Sequence, residues 1–397
     1  MPIDGARLER RLDELYAIGA EPDGGTFRPL YGEAWVAAGQ LVERWMKDAG
    51  LETRRDAVGN LWGRVGGSGT AIVTGSHIDT VRHGGRLDGA LGIVAGLTAV
   101  EALLRDKGKP KRTLEVVAIC EEEGSRFNTN FWGSRAITGG IDHVPDDIAA
   151  AMRERGLDPG KVAAAARDEI DMFVELHIEQ GAVLEASGKP LAVVSAIVGT
   201  AHLELVVTGR PDHAGTTPME MRRDALAGAA AMIQAIESIA RSLGAPAVAT
   251  VGKIRAEPDQ INVIPGRVTF TVDLRHSDLG ARNALEERIR SLCGTIASER
   301  GLTLDARAPQ NRPPVPMHAD VRALLKGAAR DLGLETGEMV SGAGHDAQVL
   351  AARCKVGMLF VPSIGGRSHC PEEATRAEHV ELGTTVLMRA LQKIAYS

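Results

Sequence analysis

The 397-residue chain is too long to close around one ordinary hydrophobic core, so two domains are expected, one of them inserted in the other. Hydrophobic residues at 44% and charged residues at 25% are those of a globular protein and exclude a disordered or low-complexity chain. A formal net charge of −6 without a basic stripe excludes a nucleic-acid footprint, which leaves small molecules as the expected partners.

The opening stretch, MPIDGARLERRLDELYAIG, alternates charged and apolar residues at helical spacing and lacks the continuous apolar core of a signal peptide. No window approaches the roughly 18 consecutive apolar residues that span a bilayer, so a cytoplasmic protein with no membrane partner is expected. Helices are predicted over 6–18 and 33–50, the second carrying Trp35, Leu41, Val42 and Trp45 at three- and four-residue steps. A short extended pair, 51–55 and 60–65, comes next. The run AIVTG (71–75) lacks polar alternation, which predicts a strand buried on both faces of a mainly parallel sheet. It delivers His77 and Asp79, and a glycine-rich loop then presents Asp88 before a helix over 89–105. The run RTLEVVAIC (112–120) is a second buried strand and stops at Glu121, Glu122 and Glu123; DMFVELHIEQG (171–181) repeats the pattern with His177, Glu179 and Gln180. Ligands at the carboxyl ends of strands are the rule in α/β folds. Between these strands, 145–170 is an alanine-rich, charged segment of predicted helices.

From Gly199 the pattern changes. The segment HLELVVTGRPDHAGTTP alternates apolar and polar residues, as a strand with one wet face does. A helix over 223–243, strands over 247–254 and 266–276, a helix over 280–300 and a strand over 301–306 complete a βαββαβ order, the split βαβ sandwich. The proline-rich stretch 311–316 is read as the linker back, and residues 319–397 resume the first style. The predicted fold is therefore α/β: a discontinuous, mainly parallel-sheet catalytic domain over 1–199 and 315–397 with helices on both faces, and an inserted α+β lid over 200–314.

The polar residues at strand ends are His77, Asp79, Asp88, Glu122, Glu123, His177 and His369. Imidazoles and carboxylates without a thiolate suit zinc, manganese, cobalt or nickel, and this many acids suit two divalent ions bridged by one carboxylate. Glu175 and Glu179, on the same strand face as His177, are alternative carboxylate ligands. His143, His202, His318 and His379 are read as ordinary hydrogen-bonded histidines. Cys120, Cys293, Cys354 and Cys370 show no CxxC spacing, so neither a disulfide framework nor a thiolate zinc site is indicated.

Taken in order, GSHIDTV, GGRLDGALG, EEEGSRF, ELHIEQG, DHAGTTPM, QINVIPG, DLRH, SGAGHDA and SHCPEE resemble the N-carbamoyl-L-amino-acid hydrolase and allantoate amidohydrolase branch of the dinuclear metallopeptidase superfamily, over nearly the whole chain. The resemblance implies that His77 and His177 hold one metal, that Glu123 and His369 hold the other, and that Asp88 bridges them. Asp79 would fix the tautomer of His77, and Glu122 would be the general base. His213 would stabilise the developing oxyanion, often from the partner subunit; Asn262 and Arg275 would hold a substrate carboxylate; Gln180, Gly344 and His345 match further pocket positions. A homodimer through the lid follows, because His213 lies outside the catalytic domain. The expected reaction is hydrolysis of the ureido C–N bond of an N-carbamoyl-L-amino acid or a related ureido carboxylate. Allantoate amidohydrolase is the nearest rival, then β-ureidopropionase and an aminoacylase or dipeptidase. A catalytically inactive binding homologue is the remote alternative, and the filled ligand and base positions speak against it. In 127–140, FWGS resembles allantoate-type members and SRAITG resembles carbamoylases.

Overall fold

The computed structural model describes residues 2–397. The chain divides into two compact units, one running to Ser195 and resuming as Met317–Ser397, the other Ala196–Pro316.

In the first unit, α1 (Gly5–Tyr16) opens at Asp4, whose carboxylate accepts the Arg7 N–H, and buries Leu8, Leu12 and Leu15 on one stripe. Then come α2 (Glu33–Asp48), an antiparallel pair β1 (Glu52–Arg55) and β2 (Leu61–Val65), and β3 (Ser68–His77), which is buried from Ala71 to its end. Helix α3 (Ala90–Lys107) buries nearly every side chain of its first three turns. Next are β4 (Arg112–Ile119), the short α4 (Trp132–Ile137), α5 (Asp146–Glu154), β5 (Ile170–Ile178), α6 (Val183–Ala186) and β6 (Ala192–Ile197).

The second unit contains β7 (Gly199–Thr208), the two-residue β8 (Asp212–His213), α7 (Ala225–Leu243), β9 (Val248–Glu257), β10 (Val263–Ile264), β11 (Arg267–His276), α8 (Leu279–Glu299), β12 (Thr303–Arg312) and β13 (Val315–Pro316). The order β7-α7-β9-β11-α8-β12 is the expected βαββαβ. Its strands form one antiparallel sheet, β12-β7-β11-β9. Met232 and Ile236 of α7 and Leu285 and Ile289 of α8 share a core with Leu203, Leu205, Phe270 and Val272. Alternation along β7 leaves His202, Glu204 and Val206 on the opposite, wetter face.

The first unit then resumes with α9 (Ala319–Asp331), β14 (Gly337–Ser341), α10 (Asp346–Leu350), β15 (Lys355–Val361) and α11 (Ala377–Ala395). Its sheet runs β1-β2-β4-β3-β5-β15-β6, with β14 also paired to β6. The central strands β4, β3, β5 and β15 are parallel. Leu176 and Val361 pack against Gly383 of α11. The next side chains along β5 and β15 in opposite phase, His177 and Phe360, meet the His345 ring at the head of α10. Neighbouring side chains of a strand point to opposite faces, so helices cover both faces, and the parallel strands are buried over most of their length for that reason.

Some elements differ from expectation. Only α5 of the 145–170 segment is a true helix; Pro159–Ala165 forms a 3-10 turn, opened by Asp158 accepting the Gly160 N–H. The stretch 311–316 is not a plain linker, since β12 extends to Arg312 and β13 pairs Val315 with Ile197, so the ends of the insertion are tied together. No helix of the described residues is long and apolar enough to cross a membrane.

Candidate metal centre

Strands β3, β4 and β5 end side by side in parallel register, with His77 opposite Ile119. The residues after each strand therefore emerge at one sheet edge. Asp88 comes from the loop before α3, and Gly89 starts that helix at φ 67, where a Cβ would fall 2.5 Å from His77 Nδ1. Only glycine gives both the backbone angle and that approach.

Asp88 is the hub. Its Oδ1 lies 3.4 Å from His77 Nε2 and 3.2 Å from His177 Nε2. Its Oδ2 lies 3.1 Å from His369 Nε2, which is itself 3.3 Å from Glu123 Oε1. Donors in a tetrahedral shell about 2.1 Å from an ion sit about 3.4 Å apart. The donor spacings fit that shell on both sides of one carboxylate, and ligand atoms of His77, Asp88 and His177, and of Asp88, Glu123 and His369, lie within 4.8 Å of one another. The residues present fit divalent cations at these two places.

The imidazoles are oriented for the same purpose. His77 Nδ1 faces the Asp79 carbonyl at 3.1 Å and Asp79 Oδ1 at 3.3 Å, and His177 Nδ1 faces the Ile178 carbonyl at 3.0 Å. Each Nδ1–H donates away from the centre, leaving the Nε2 lone pair for a metal. Asp79 has a second task that sequence reading missed. Its carboxylate accepts the Glu122 and Glu123 N–H groups at 3.0 and 3.3 Å, so it fixes the backbone of both glutamates as well as the ring of His77.

Electrostatics follow from this crowding. Burial alone would raise the Asp88 carboxyl, but hydrogen bonds from His177, His369 and His77 hold it well below the usual carboxylate range. Against burial, Asp79 and Asp88 push His77 well above the imidazole range, and Asp88 and Glu123 push His369 up to about 10. Burial, reinforced by the charge of Glu123, raises Glu122 well above an ordinary glutamate. Such a shift suits a group that must both take and return a proton.

The other glutamates separate by what they bind. Glu121 turns back to accept the N–H groups of Gly124 and Trp132, closing the loop after β4. Glu179, an alternative ligand by sequence, accepts the Val183 and Leu184 N–H groups at 2.9 and 2.8 Å and caps α6. Glu175 is buried beneath His177 and accepts from the Ser76 hydroxyl at 2.6 Å.

Further pocket positions also have definite places. Gln180 Nε2 donates to Asp88 Oδ2 at 3.0 Å, so Gln180 acts on the bridging carboxylate. His345 is buried edge-on to His177, and its Nε2 is 2.8 Å from Ser341 Oγ; burial and the neighbouring His177 push it well below the usual imidazole range. A Cβ on Gly344 would sit 3.0 Å from Phe131 Cζ and 3.8 Å from Glu122 Oε1, which places this loop beside Glu122.

The inserted unit holds His213, Asn262 and Arg275. His213 Nδ1 accepts the Gly215 and Thr216 N–H groups at 3.0 and 3.2 Å, so the proton of the neutral ring is on the exposed Nε2. Asn262 adjoins it, its carbonyl accepting the Ala214 N–H at 3.0 Å. Arg275 pairs with Asp273 through Nε and a terminal nitrogen at 3.1 and 2.8 Å.

The family model described as Peptidase family M20/M25/M40 matches residues 73–393. The chain is 41% identical over 397 residues to the allantoate amidohydrolase of Bacillus subtilis (strain 168), covering 97% of this chain and 96% of that protein. It is 39% identical over 402 residues to the N-carbamoyl-L-amino-acid amidohydrolase of Paenarthrobacter aurescens, covering 98% and 97%. The crystal structure of an amidase of the hydantoinase/carbamoylase family from Burkholderia multivorans superposes with a TM-score of 0.92 at 34% identity, covering 100% of this chain and 99% of that one.

Proposed function

Because the chain belongs to peptidase family M20/M25/M40 and is a metal-dependent hydrolase of non-peptide amide C–N bonds, we propose that it cleaves the ureido C–N bond of an N-carbamoyl-L-amino acid, yielding the amino acid, carbon dioxide and ammonia. The observation that supports this most is the convergence of His77, His177, Glu123 and His369 on the two oxygens of Asp88, with Glu122 beside them.

In this reading His77 and His177 hold one divalent ion, Glu123 and His369 the other, and Asp88 both, with zinc or manganese the first choice and cobalt or nickel suited to the same donors. The ions, when bound, polarise the scissile carbonyl and acidify the attacking water. Glu122 takes the water proton and returns it to the leaving nitrogen, and its raised proton affinity favours the first of these transfers. Asp79 keeps Glu122 in place through its backbone N–H. His213 presents an Nε2–H donor suited to an oxyanion, and Asn262 and Arg275 recognise the substrate carboxylate, Arg275 with its plane set by Asp273. A homodimer through the inserted unit is part of the reading. Strand β9, at one edge of that unit's sheet, exposes Val248 and Ile254, and such an edge is a surface for a second chain. A cytoplasmic location is also part of it, in keeping with four free cysteines.

A second reading, allantoate hydrolysis, is favoured by the name of the Bacillus subtilis relative. The two share the ions and the base and differ in the side-chain pocket. Manganese-loaded protein offered N-carbamoyl-L-amino acids, allantoate, ureidopropionate and N-acetyl-amino acids tests both. We expect turnover of the carbamoyl compounds first. Preference for allantoate would select the second reading, and absence of any ureido turnover would sink both.

A further inference from the structure

Outside the residues named so far, one buried acid touches the metal centre from behind. Glu373 is 4% exposed, and its Oε1 accepts two backbone N–H groups, those of Leu87 at 2.8 Å and Asp88 at 3.0 Å. Its Oε2 accepts the Ser368 hydroxyl at 2.7 Å. Ser368 Oγ in turn accepts from Gln180 Nε2 at 3.3 Å, and the same nitrogen donates to Asp88 Oδ2. A closed ring of hydrogen bonds thus joins three distant pieces of chain, Leu87–Asp88, Gln180 and Ser368–Glu373. Gly85 is shaped to it, since a Cβ there would fall 2.2 Å from the Glu373 carboxyl carbon.

We propose that Glu373 is the positioning residue of the His369–Glu123 half of the centre, the group that sets the gap between Asp88 and His369. His369 has φ 56, a left-handed backbone that an L-residue with a large side chain adopts only when neighbours hold it. Its neighbour Ser368 is anchored on Glu373. His369 is also the half-exposed member of the set, whereas His77 and His177 are buried between strand ends. Loss of the Glu373 carboxylate therefore releases His369 and the Asp88 amide while leaving the His77–His177 side supported by Asp79 and the sheet. The effect on the two ions is unequal.

The inference rests on the two-ion reading above. The test is metal titration of chelator-stripped, folded protein with manganese, read by competition with an indicator and by the EPR signal of paired against single manganese. For Glu373→Ala we expect one ion to bind as in the unaltered chain, the other to weaken about 10–100-fold, and the paired signal to give way to the single one. Glu373→Gln should restore most of the second site, because an amide oxygen still accepts the two N–H groups. Gly85→Ala, which displaces the Glu373 carboxyl without removing it, should weaken the same site, and it serves if Glu373→Ala does not fold. Two ions bound by Glu373→Ala as tightly as by the unaltered chain, equal weakening of both, or no rescue by glutamine would overturn the inference while the two-ion reading stood. An unaltered chain that takes up fewer than two ions would take both down.

Discussion

Glu122 and Glu123 are neighbours held by one aspartate, yet the geometry gives them different work. Glu123 Oε1 is 3.3 Å from His369 Nε2, on the Asp88 Oδ2 side, while Glu122 Oε1 faces the loop at Gly344. Replacing Glu122 by Gln keeps the side-chain volume and removes only the proton acceptor. Turnover should fall by about 10²–10⁴-fold with both ions retained; activity close to that of the unaltered protein would move the base elsewhere. A second expectation concerns the chelator-stripped protein. His369 is raised to about 10 by Asp88 and Glu123, above the usual imidazole value of about 6.5. A raised folded-state value stabilises below the unfolded value and loses that contribution as pH rises through the folded one. The thermal midpoint of the stripped protein should therefore decline between about pH 6.5 and 10 relative to His369→Asn. Solvent screening keeps the difference small, because His369 is half exposed. A constant difference across that range would contradict the pairing. The histidines and acids that gather around Asp88 were legible in the sequence as candidates, because such residues following apolar strands stand out. The supporting residues were not: Glu373 and Ser368 lie far from Asp88 in the chain, and only the folded loops bring them to it.

At the scale of elements, the parallel strands were readable because burial on both faces removes polar alternation, and α7 and α8 because their apolar stripes recur at helical spacing. Strands β6 and β14 were missed: β14 is short, with only its end residues fully buried, and β6 continues almost directly into β7, so neither stands apart as an apolar run. Glu179 shows the limit of reading a strand face. It shares a face with His177, yet the chain turns after β5 and the carboxylate meets the first N–H groups of α6. Glu179→Ala should thus cost about 0.5–2 kcal/mol of stability, as helix caps do, with metal content unchanged. Loss of an ion in a fully folded Glu179→Ala protein would return Glu179 to the ligand set.

At the scale of the whole molecule, the insertion was legible from the change of pattern near Gly199 and its reversal near residue 319, since an open antiparallel sheet alternates and a covered parallel one does not. Arg275 pairs with Asp273, two residues away on the same strand face, because alternate side chains of a strand point the same way. If His213 acts across a dimer, mixing Glu122→Gln with His213→Ala chains should recover activity that neither parent has, and mixed dimers without activity would contradict that assignment. Beneath all of these expectations lies a pair of ions sharing Asp88. Diffraction from manganese-loaded crystals, recorded at the manganese absorption edge, tests it most directly. The account predicts two anomalous peaks flanking the Asp88 carboxylate, one against His77 and His177 and one against Glu123 and His369. A single peak, or peaks away from Asp88, would contradict it.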